Sequence, residues 1–230
     1  MRQLIAFALL MLAVLSLRLL RRALHERKLR RLLRAGDWGG VLATYHPTLS
    51  RLPNPETLGP LMVAGALAAH GMVDRARRAL ARAVRGEAWE AALEHRRFIE
   101  TLLETFDGDR GRAVECAESL EKLPLPKGSA PARRRVIALR AALTALARAF
   151  ARRPLENDAE VLEEAANSSP LVHWAMRYGA AVAYLERGDR QHARRLLLDA
   201  PRWPEDSTFC AFQEELASLA REPSTTASAV

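Results

Sequence analysis

The chain of 230 residues has few of the side chains that form enzymatic and metal sites. Its two cysteines, Cys116 and Cys210, are far apart and outside any CxxC pair, which argues against a zinc ribbon and a dithiol redox centre. None of the six histidines is spaced from another as metal ligands on one helix would be. No glycine-rich phosphate loop follows a predicted strand. We therefore expect no enzymatic activity, no metal, no cofactor and no small-molecule substrate.

Strand-forming patterns are also scarce. Isoleucine occurs only at positions 5, 99 and 137, and no segment alternates apolar and polar residues as a half-buried strand does. Long segments rich in Ala, Leu, Arg and Glu dominate instead, so the fold class is predicted to be all-α. The longest connector between them, Leu123–Pro131, is predicted to be the most flexible point. The clearest predicted helices are Glu87–Phe106, Ala132–Arg152, Leu171–Arg187 and Glu205–Ala220.

The net charge of +8 lies at one end of the chain. Residues 1–34 contain nine of the 35 basic residues and one of the 27 acidic residues, which leaves the remaining chain neutral. A nucleic-acid-binding domain usually spreads its positive charge over a folded face, with aromatic residues nearby. No nucleic-acid partner is therefore expected, although the basic segment itself could contact one as a weaker alternative.

The charge follows an apolar run. Leu4–Leu17 contains no charged residue and has no polar face, and its continuation to Leu20 gives about 25 Å of helix, near the lower limit for a membrane span. No A-x-A cleavage site follows the run. Residues 1–20 are therefore predicted to be an uncleaved transmembrane anchor. The alternative is a cleaved signal peptide, which would leave a soluble secreted or periplasmic binding module.

The basic cluster beside this run predicts the topology. Lysine and arginine collect on the cytoplasmic side of a span, so we expect a single-pass protein of the inner (cytoplasmic) membrane whose body faces the cytoplasm. Residues 21–35 are predicted to form a basic juxtamembrane helix, with each base near anionic lipid contributing about 1 kcal/mol. The same bases could instead form the solvated face of the first packed helix. They are Arg18, Arg21, Arg22, Arg27, Lys28, Arg30, Arg31 and Arg34.

The body contains a repeated pattern of turns. Breaks at Gly36, Gly71, Gly108 and Gly188 recur about every 35 to 40 residues, with one double interval that Pro154 divides. Such a glycine ends a helix in the left-handed conformation, and the aspartate that follows three of them can cap the next helix. A small residue stands five positions after each break, which lets two helices approach closely. These residues are Val41, Ala76, Ala113, Ala159 and Ala193.

This pattern resembles the tetratricopeptide repeat, a helix–turn–helix unit of 34 residues. The copy from Trp174 to Pro204 carries it best, with Tyr184 before the Gly188 turn and Ala193 after it. Ala64 and Ala181 replace the glycine that the family places in its first helix, so the copies are divergent. The resemblance implies an α-solenoid of about five helix pairs plus a capping helix over residues 36–221, followed by a flexible tail at 222–230.

The resemblance also implies a binding groove, because the first helix of each pair lines the concave face of such arrays. This groove would be mostly apolar with one base, and would suit an amphipathic helix or an extended segment of a protein partner. The expected function is therefore that of a membrane-anchored scaffold that binds a protein or peptide at the cytoplasmic face. The groove residues so implied are Leu61, Gly65, Phe98, Leu102, Thr144, Arg148, Tyr178 and Val182.

Overall fold

The computed structural model describes residues 23–219, and within that range it contains α-helices and no β-strand. The all-α prediction is confirmed. The predicted anchor at residues 1–20 and tail at residues 222–230 lie outside the described range. Within 23–219, none of the helices has both the length and the apolar character that a membrane crossing requires. In chain order the helices are α1 (residues 23–34), α2 (Trp38–Leu49), α3 (Pro55–Ala68), α4 (Val73–Ala81), α5 (Glu87–Ala91), α6 (Leu93–Asp107), α7 (Arg110–Glu121), α8 (Ala130–Phe150), α9 (Asp158–Ser168), α10 (His173–Glu186), α11 (Arg190–Leu197) and α12 (Thr208–Leu219).

Successive helices pack against each other as hairpins. The pairs α3 with α4, α6 with α7, α8 with α9, and α10 with α11 each share an extensive interface. Neighbouring hairpins then contact one another through α7 with α8 and α9 with α10, and α6 also reaches both α3 and α8. One continuous apolar core runs through these interfaces.

The glycine turns adopt the conformation that the spacing predicts. All four have positive φ angles, a region that residues with a Cβ atom rarely occupy. Each glycine therefore ends one helix and lets the chain reverse into the next. The angles are +64° at Gly36, +70° at Gly71, +127° at Gly108 and +82° at Gly188.

The aspartates after three of these turns cap the following helices, as predicted. In each case the side-chain Oδ1 accepts a hydrogen bond from the backbone N–H three residues later, which satisfies a donor that the helix leaves unpaired. The distance from the backbone nitrogen to Oδ1 is 3.0 Å for Gly40 and Asp37, 2.9 Å for Arg112 and Asp109, and 2.9 Å for His192 and Asp189.

The small residues five positions after each break are core residues. Each is at most 1% exposed, which is the burial expected where two helices approach closely. The weakest of the predicted breaks, at Pro154, follows the end of α8 at Phe150 and includes Arg152 with a positive φ of 60°. The five residues are Val41, Ala76, Ala113, Ala159 and Ala193.

The predicted helix Glu87–Phe106 is two helices in the structure. It divides at Ala92, whose φ of −87° and ψ of 22° depart from helical values. Trp89 on the short α5 lies between two guanidinium groups, at 5.6 Å from Arg85 and 4.9 Å from Arg96, measured to the ring centroid. These cation–π contacts hold α5 beside the start of α6.

The connector between α7 and α8 is attached to the body by one buried arginine. Arg140 on α8 donates hydrogen bonds to the carbonyl oxygens of Leu123 at 2.6 Å and Pro124 at 3.1 Å. The same guanidinium pairs with Glu94 of α6 at 2.9 Å. Arg140 thereby links two hairpins and the first residues of the connector.

The C-terminal helix, which was predicted to cap the last pair, also contacts the hairpin of α3 and α4 through the residues at its start. The N–H of Thr208 donates to the carbonyl of Gly71 at 2.9 Å, and the hydroxyl of Ser207 donates to the carbonyl of His70 at 2.8 Å. Phe209 is fully buried, with its ring 5.0 Å from that of Phe106 and 4.7 Å from that of Tyr178. The last helix therefore covers the interior of the array.

Candidate partner-binding groove

Most of the implied groove residues belong to the core. Leu102, Thr144, Tyr178 and Val182 are buried, because the C-terminal segment and neighbouring helices cover the face that an open array would expose. The sequence could not reveal this covering, since it depends on contacts between elements that are not neighbours in the chain, such as Tyr178 of α10 with Phe209 of α12. These four side chains are inaccessible to a partner in this structure.

Arg148, the one base of the implied groove, is part of an internal ion pair. Its Nε and Nη2 atoms lie 3.0 and 2.5 Å from the two carboxylate oxygens of Asp158, whose side chain is only 1% exposed. Hydrogen bonding to Asp158 raises the pKa of Arg148. The carboxylate also accepts the N–H of Leu155 at 2.8 Å. Arg148 therefore joins α8 to the start of α9.

The remaining implied residues meet at a cavity between α2, α3 and α6. Its volume is about 170 Å³ and its walls are almost entirely apolar. Leu61 and Gly65 of α3 line it beside Phe98 of α6, so the structure brings three of the implied groove residues together. Its walls include Leu42, Tyr45, Leu61, Gly65, Phe98 and Ile99.

The composition of α3 explains why this cavity has an open mouth. Its sequence, PETLGPLMVAGALA, is apolar on every side. One face packs against the core, and apolar side chains on the opposite face are exposed to solvent. Met62 on this outer face is 38% exposed, and Leu42 on the facing α2 is 37% exposed. Gly65 lacks a side chain, and a Cβ atom there would lie 3.6 Å from the Phe98 ring. The absence of that methyl group leaves space at the cavity floor.

Tyr45 supplies one of the few polar atoms at the cavity wall. Its side chain is half-buried, and burial raises the pKa of its hydroxyl. The phenol therefore stays protonated at physiological pH and is able to donate a hydrogen bond.

A row of arginines borders the cavity. Arg75 and Arg78 of α4 and Arg82, the C-cap of that helix, follow the helical spacing i, i+3, i+7 and line an open groove of about 270 Å³. Leu42 and Val63 line both this groove and the cavity, so the two spaces are adjacent. We call the cavity and the arginine groove together the α2–α4 groove.

The three arginines differ in their partners. Arg75 forms an ion pair with Asp206 at 2.5 Å. Arg78 and Arg82 are exposed, and neither has an ion-pair partner within residues 23–219. The groove therefore presents two uncompensated positive charges beside an apolar opening.

Sequence reasoning missed the α2 and α4 contributions to this site. It assigned the groove to the first helix of each pair, whereas Leu42 and Arg78 belong to second helices and Arg82 is the C-cap of α4. A signal for the arginines was present, because Arg75, Arg78 and Arg82 follow one another at spacings of three and four residues, which places them on one side of α4 and its C-cap. No comparable signal identified Leu42.

The predicted membrane-proximal bases are only partly within the described range. Arg18, Arg21 and Arg22 lie outside it. The other five are exposed on α1, whose opposite edge packs on the core through Leu29, Leu32 and Leu33. The five are Arg27, Lys28, Arg30, Arg31 and Arg34.

Residues 23–219 contain no group of three or more His, Cys, Asp or Glu side chains that could hold a metal ion. Cys116 is buried and Cys210 is half-buried, and both are free thiols. Burial raises the pKa of the Cys116 thiol, so this residue is a packed apolar group rather than a nucleophile.

Comparison with known proteins gives no match for this chain: no family model, no curated protein and no solved structure is similar to it. The tetratricopeptide resemblance accordingly rests on the glycine turns, the aspartate caps and the buried small residues of the chain itself. Its function has to be inferred from the α2–α4 groove and from the pattern of the N-terminal residues.

Proposed function

We propose that this protein is a membrane-anchored helical scaffold that binds a segment of another protein in the α2–α4 groove, at the cytoplasmic face of the inner membrane. In this proposal the helical hairpins form a divergent array of the tetratricopeptide type. The protein acts by binding and positioning its partner rather than by catalysis.

The observation that carries the proposal is the apolar cavity with its open mouth. Pockets that enclose a small-molecule ligand usually measure about 300 to 1,000 Å³, whereas this cavity measures about 170 Å³. A space of about 150 Å³ holds one group the size of benzene. The cavity therefore suits one large apolar side chain of a longer partner, and the exposed Leu42 and Met62 offer further contact around it.

The proposed anchor is supported by the N-terminal sequence. Leu4–Leu17 is apolar throughout, and the positive charge of the chain follows it directly while the rest of the chain is neutral. The bases on α1 are exposed and available to anionic lipid. An anchor confines the scaffold to the membrane surface, which raises the effective concentration of a partner held there.

The array assignment is supported by regular local geometry. The turns at Gly36, Gly71, Gly108 and Gly188 share positive φ angles, and the small residue five positions later is buried in each corresponding hairpin. The closure by α12 is a departure from an open array, and the α2–α4 groove remains accessible beside it.

Cross-linking in native membranes tests the binding role. The Leu42→Gln/Met62→Gln variant makes the rim of the cavity polar, and Ile137→Gln/Leu155→Gln changes two exposed apolar residues elsewhere, which are 50% and 54% exposed. We expect a protein partner to cross-link to the wild type and to the second variant, but not to the first. Equal cross-linking to both variants would place the partner elsewhere and contradict the proposal.

Fractionation tests the anchor. The full chain should stay in the membrane pellet after an alkaline carbonate wash, and a chain without residues 1–20 should be released. N-terminal sequencing of the mature protein provides the second measurement, because a chain that begins near residue 20 would be a cleaved and secreted protein. That result would contradict the membrane-anchored scaffold.

A further inference from the structure

We infer that the segment bound by the α2–α4 groove is an acidic amphipathic helix of the partner protein. This inference rests on the proposed function and adds the chemistry of the partner. It follows from three features of the groove: its apolar cavity, the charges beside it, and the spacing of those charges.

The cavity requires an apolar anchor. Leu61, Phe98 and Ile99 form a wall of carbon atoms around space for about one large side chain. An apolar side chain that leaves water for this space is stabilised there by the hydrophobic effect. The bound segment should therefore carry a Leu, Met or Phe at the position that enters the cavity.

The charges beside the cavity require acidic residues. Two of the four nearby arginines already have partners: Arg75 pairs with Asp206, and Arg77 pairs with Asp107. Arg78 and Arg82 differ, because no described residue forms an ion pair with either. Electrostatic complementarity at a rim steers association and rejects partners of like charge.

The spacing of the charges favours a helix. Arg78 and Arg82 are four residues apart, which separates them by about 6 Å along the axis of α4. Acidic residues at i and i+4 on a second helix have the same separation and the same orientation toward one side. No strand edge exists within residues 23–219 for an extended segment to join, so an apolar helix face in the groove is the available mode of recognition.

A pair of designed peptides tests this inference. The first is roughly sixteen residues long, with Leu at i, i+3, i+4 and i+7 and Glu at the positions beside them; the second has Lys in place of every Glu. Binding to the full chain is measured by fluorescence anisotropy in phosphatidylcholine nanodiscs, which keep detergent out of the cavity. We expect the Glu peptide to bind at least about tenfold more tightly than the Lys peptide at low salt, and the difference to shrink as salt is raised.

Two pairs of variants locate the peptide. Arg78→Glu/Arg82→Glu should reverse the preference between the peptides, whereas Arg133→Glu/Arg134→Glu, which makes the same charge change on exposed residues of α8, should preserve it. Gly65→Ala adds a methyl group at the cavity floor and should weaken both peptides. Gly59→Ala is its control, because it lies on the same helix and its Cβ would meet no atom within 4 Å. Circular dichroism confirms that each variant is folded.

The possible failures are distinguishable. Equal binding of the two peptides, with no effect of Arg78→Glu/Arg82→Glu, would show that the groove does not select an acidic segment. The proposed binding role of the groove would still hold. If neither peptide binds but cross-linking still depends on Leu42 and Met62, the helical acidic segment is wrong and the scaffold stands. If neither peptide binds and cross-linking is independent of the groove, both proposals fail. The chain could also bind phosphatidylserine vesicles in place of the peptide. If the Arg78→Glu/Arg82→Glu variant no longer binds these vesicles, the groove binds lipid and the inference is overturned.

Discussion

The indole Nε1–H of Trp203 donates a hydrogen bond of 2.7 Å to the hydroxyl of Tyr178 inside the aromatic centre of the fold. Trp203 belongs to the segment that precedes α12, and Tyr178 lies in the middle of α10. Trp174 packs edge-on against Trp203 at a centroid distance of 5.9 Å and donates its own Nε1–H to the carbonyl of Arg34. These contacts therefore join α1, α10 and the segment that leads into α12.

Replacing Tyr178 with Phe should destabilise the fold by about 1 to 3 kcal/mol, because the buried indole of Trp203 loses its acceptor. The free energy of unfolding in urea measures this cost. A double-mutant cycle with Trp203→Phe isolates the hydrogen bond from the packing of the rings. In the Trp203→Phe background, Tyr178→Phe should cost clearly less. Strictly additive costs would show that the hydrogen bond does not stabilise the closure.

Replacing Gly71 with Ala should destabilise the fold more than the same change at Gly188. Both glycines have positive φ angles, so each substitution carries about 1 to 2 kcal/mol of backbone strain. At Gly71 the new Cβ would also lie 2.7 Å from Thr208 Oγ1 and 2.9 Å from the Phe209 ring, whereas at Gly188 it would meet no atom within 4 Å. Thermal unfolding of the two variants gives the comparison. Equal losses would mean that α12 is not seated on the Gly71 turn.

The ion pair between Arg148 and Asp158 should respond asymmetrically to mutation. Arg148→Met leaves a carboxylate that is 1% exposed without its cation, and should cost about 3 kcal/mol or more. Asp158→Asn leaves a guanidinium that retains 27% exposure, and should cost less. Urea unfolding measures both. Neither variant, when folded, should alter peptide binding. A loss of binding by folded Arg148→Met would show that Arg148 belongs to a partner-binding surface.

The stability of the fold should decrease as the pH falls below about 6.5, the ordinary pKa of histidine. Burial lowers the pKa of His70 and of His173, with a further lowering of the His173 pKa by the nearby Arg177 and Arg34. Below this pH the histidines of the unfolded chain bind protons, whereas those of the folded chain stay neutral. The free energy of unfolding therefore falls by up to about 1.4 kcal/mol per pH unit for each histidine.

Urea unfolding from pH 8 to pH 5 measures this dependence. His70→Asn keeps a donor for the carbonyl of Ala66, which lies 3.0 Å from Nδ1 in the wild type, and removes the titrating ring. The variant should show a smaller loss of stability between pH 7 and pH 5. An identical slope in the variant and the wild type would show that His70 does not contribute.

Local features of the fold were predictable from the sequence because they depend on neighbouring residues. A single segment of the chain contains the whole pattern. It consists of a glycine turn, an aspartate directly after the glycine that caps the next helix, and a small residue five positions after the glycine. The turns at Gly71 and Gly188 and the caps at Asp109 and Asp189 were therefore predicted correctly. The split of the predicted helix at Ala92 was not, because the VRGEAWEAALEHRR segment contains no proline or glycine at that point.

The candidate site was predictable only in part. Leu61, Gly65 and Phe98 meet at the cavity because they hold equivalent positions in adjacent hairpins, and the repeat spacing reveals that equivalence. Tyr178 and Leu102 hold equivalent positions as well, but Phe209 and its neighbours cover that region. A helical pattern indicates which face is apolar and does not indicate which other segment covers it.

The all-α class, the turns between the helices and the position of the whole excess charge before residue 35 could be predicted without a structure. Each of these follows from composition or from residues close together in the chain. Which apolar faces remain open depends instead on the packing of distant segments. The contacts of Ser207 and Thr208 with His70 and Gly71 span 137 positions, and they hold α12 where Phe209 packs against Tyr178, one of the implied groove residues. The α2–α4 groove remains open because no described segment reaches the outer face of α3.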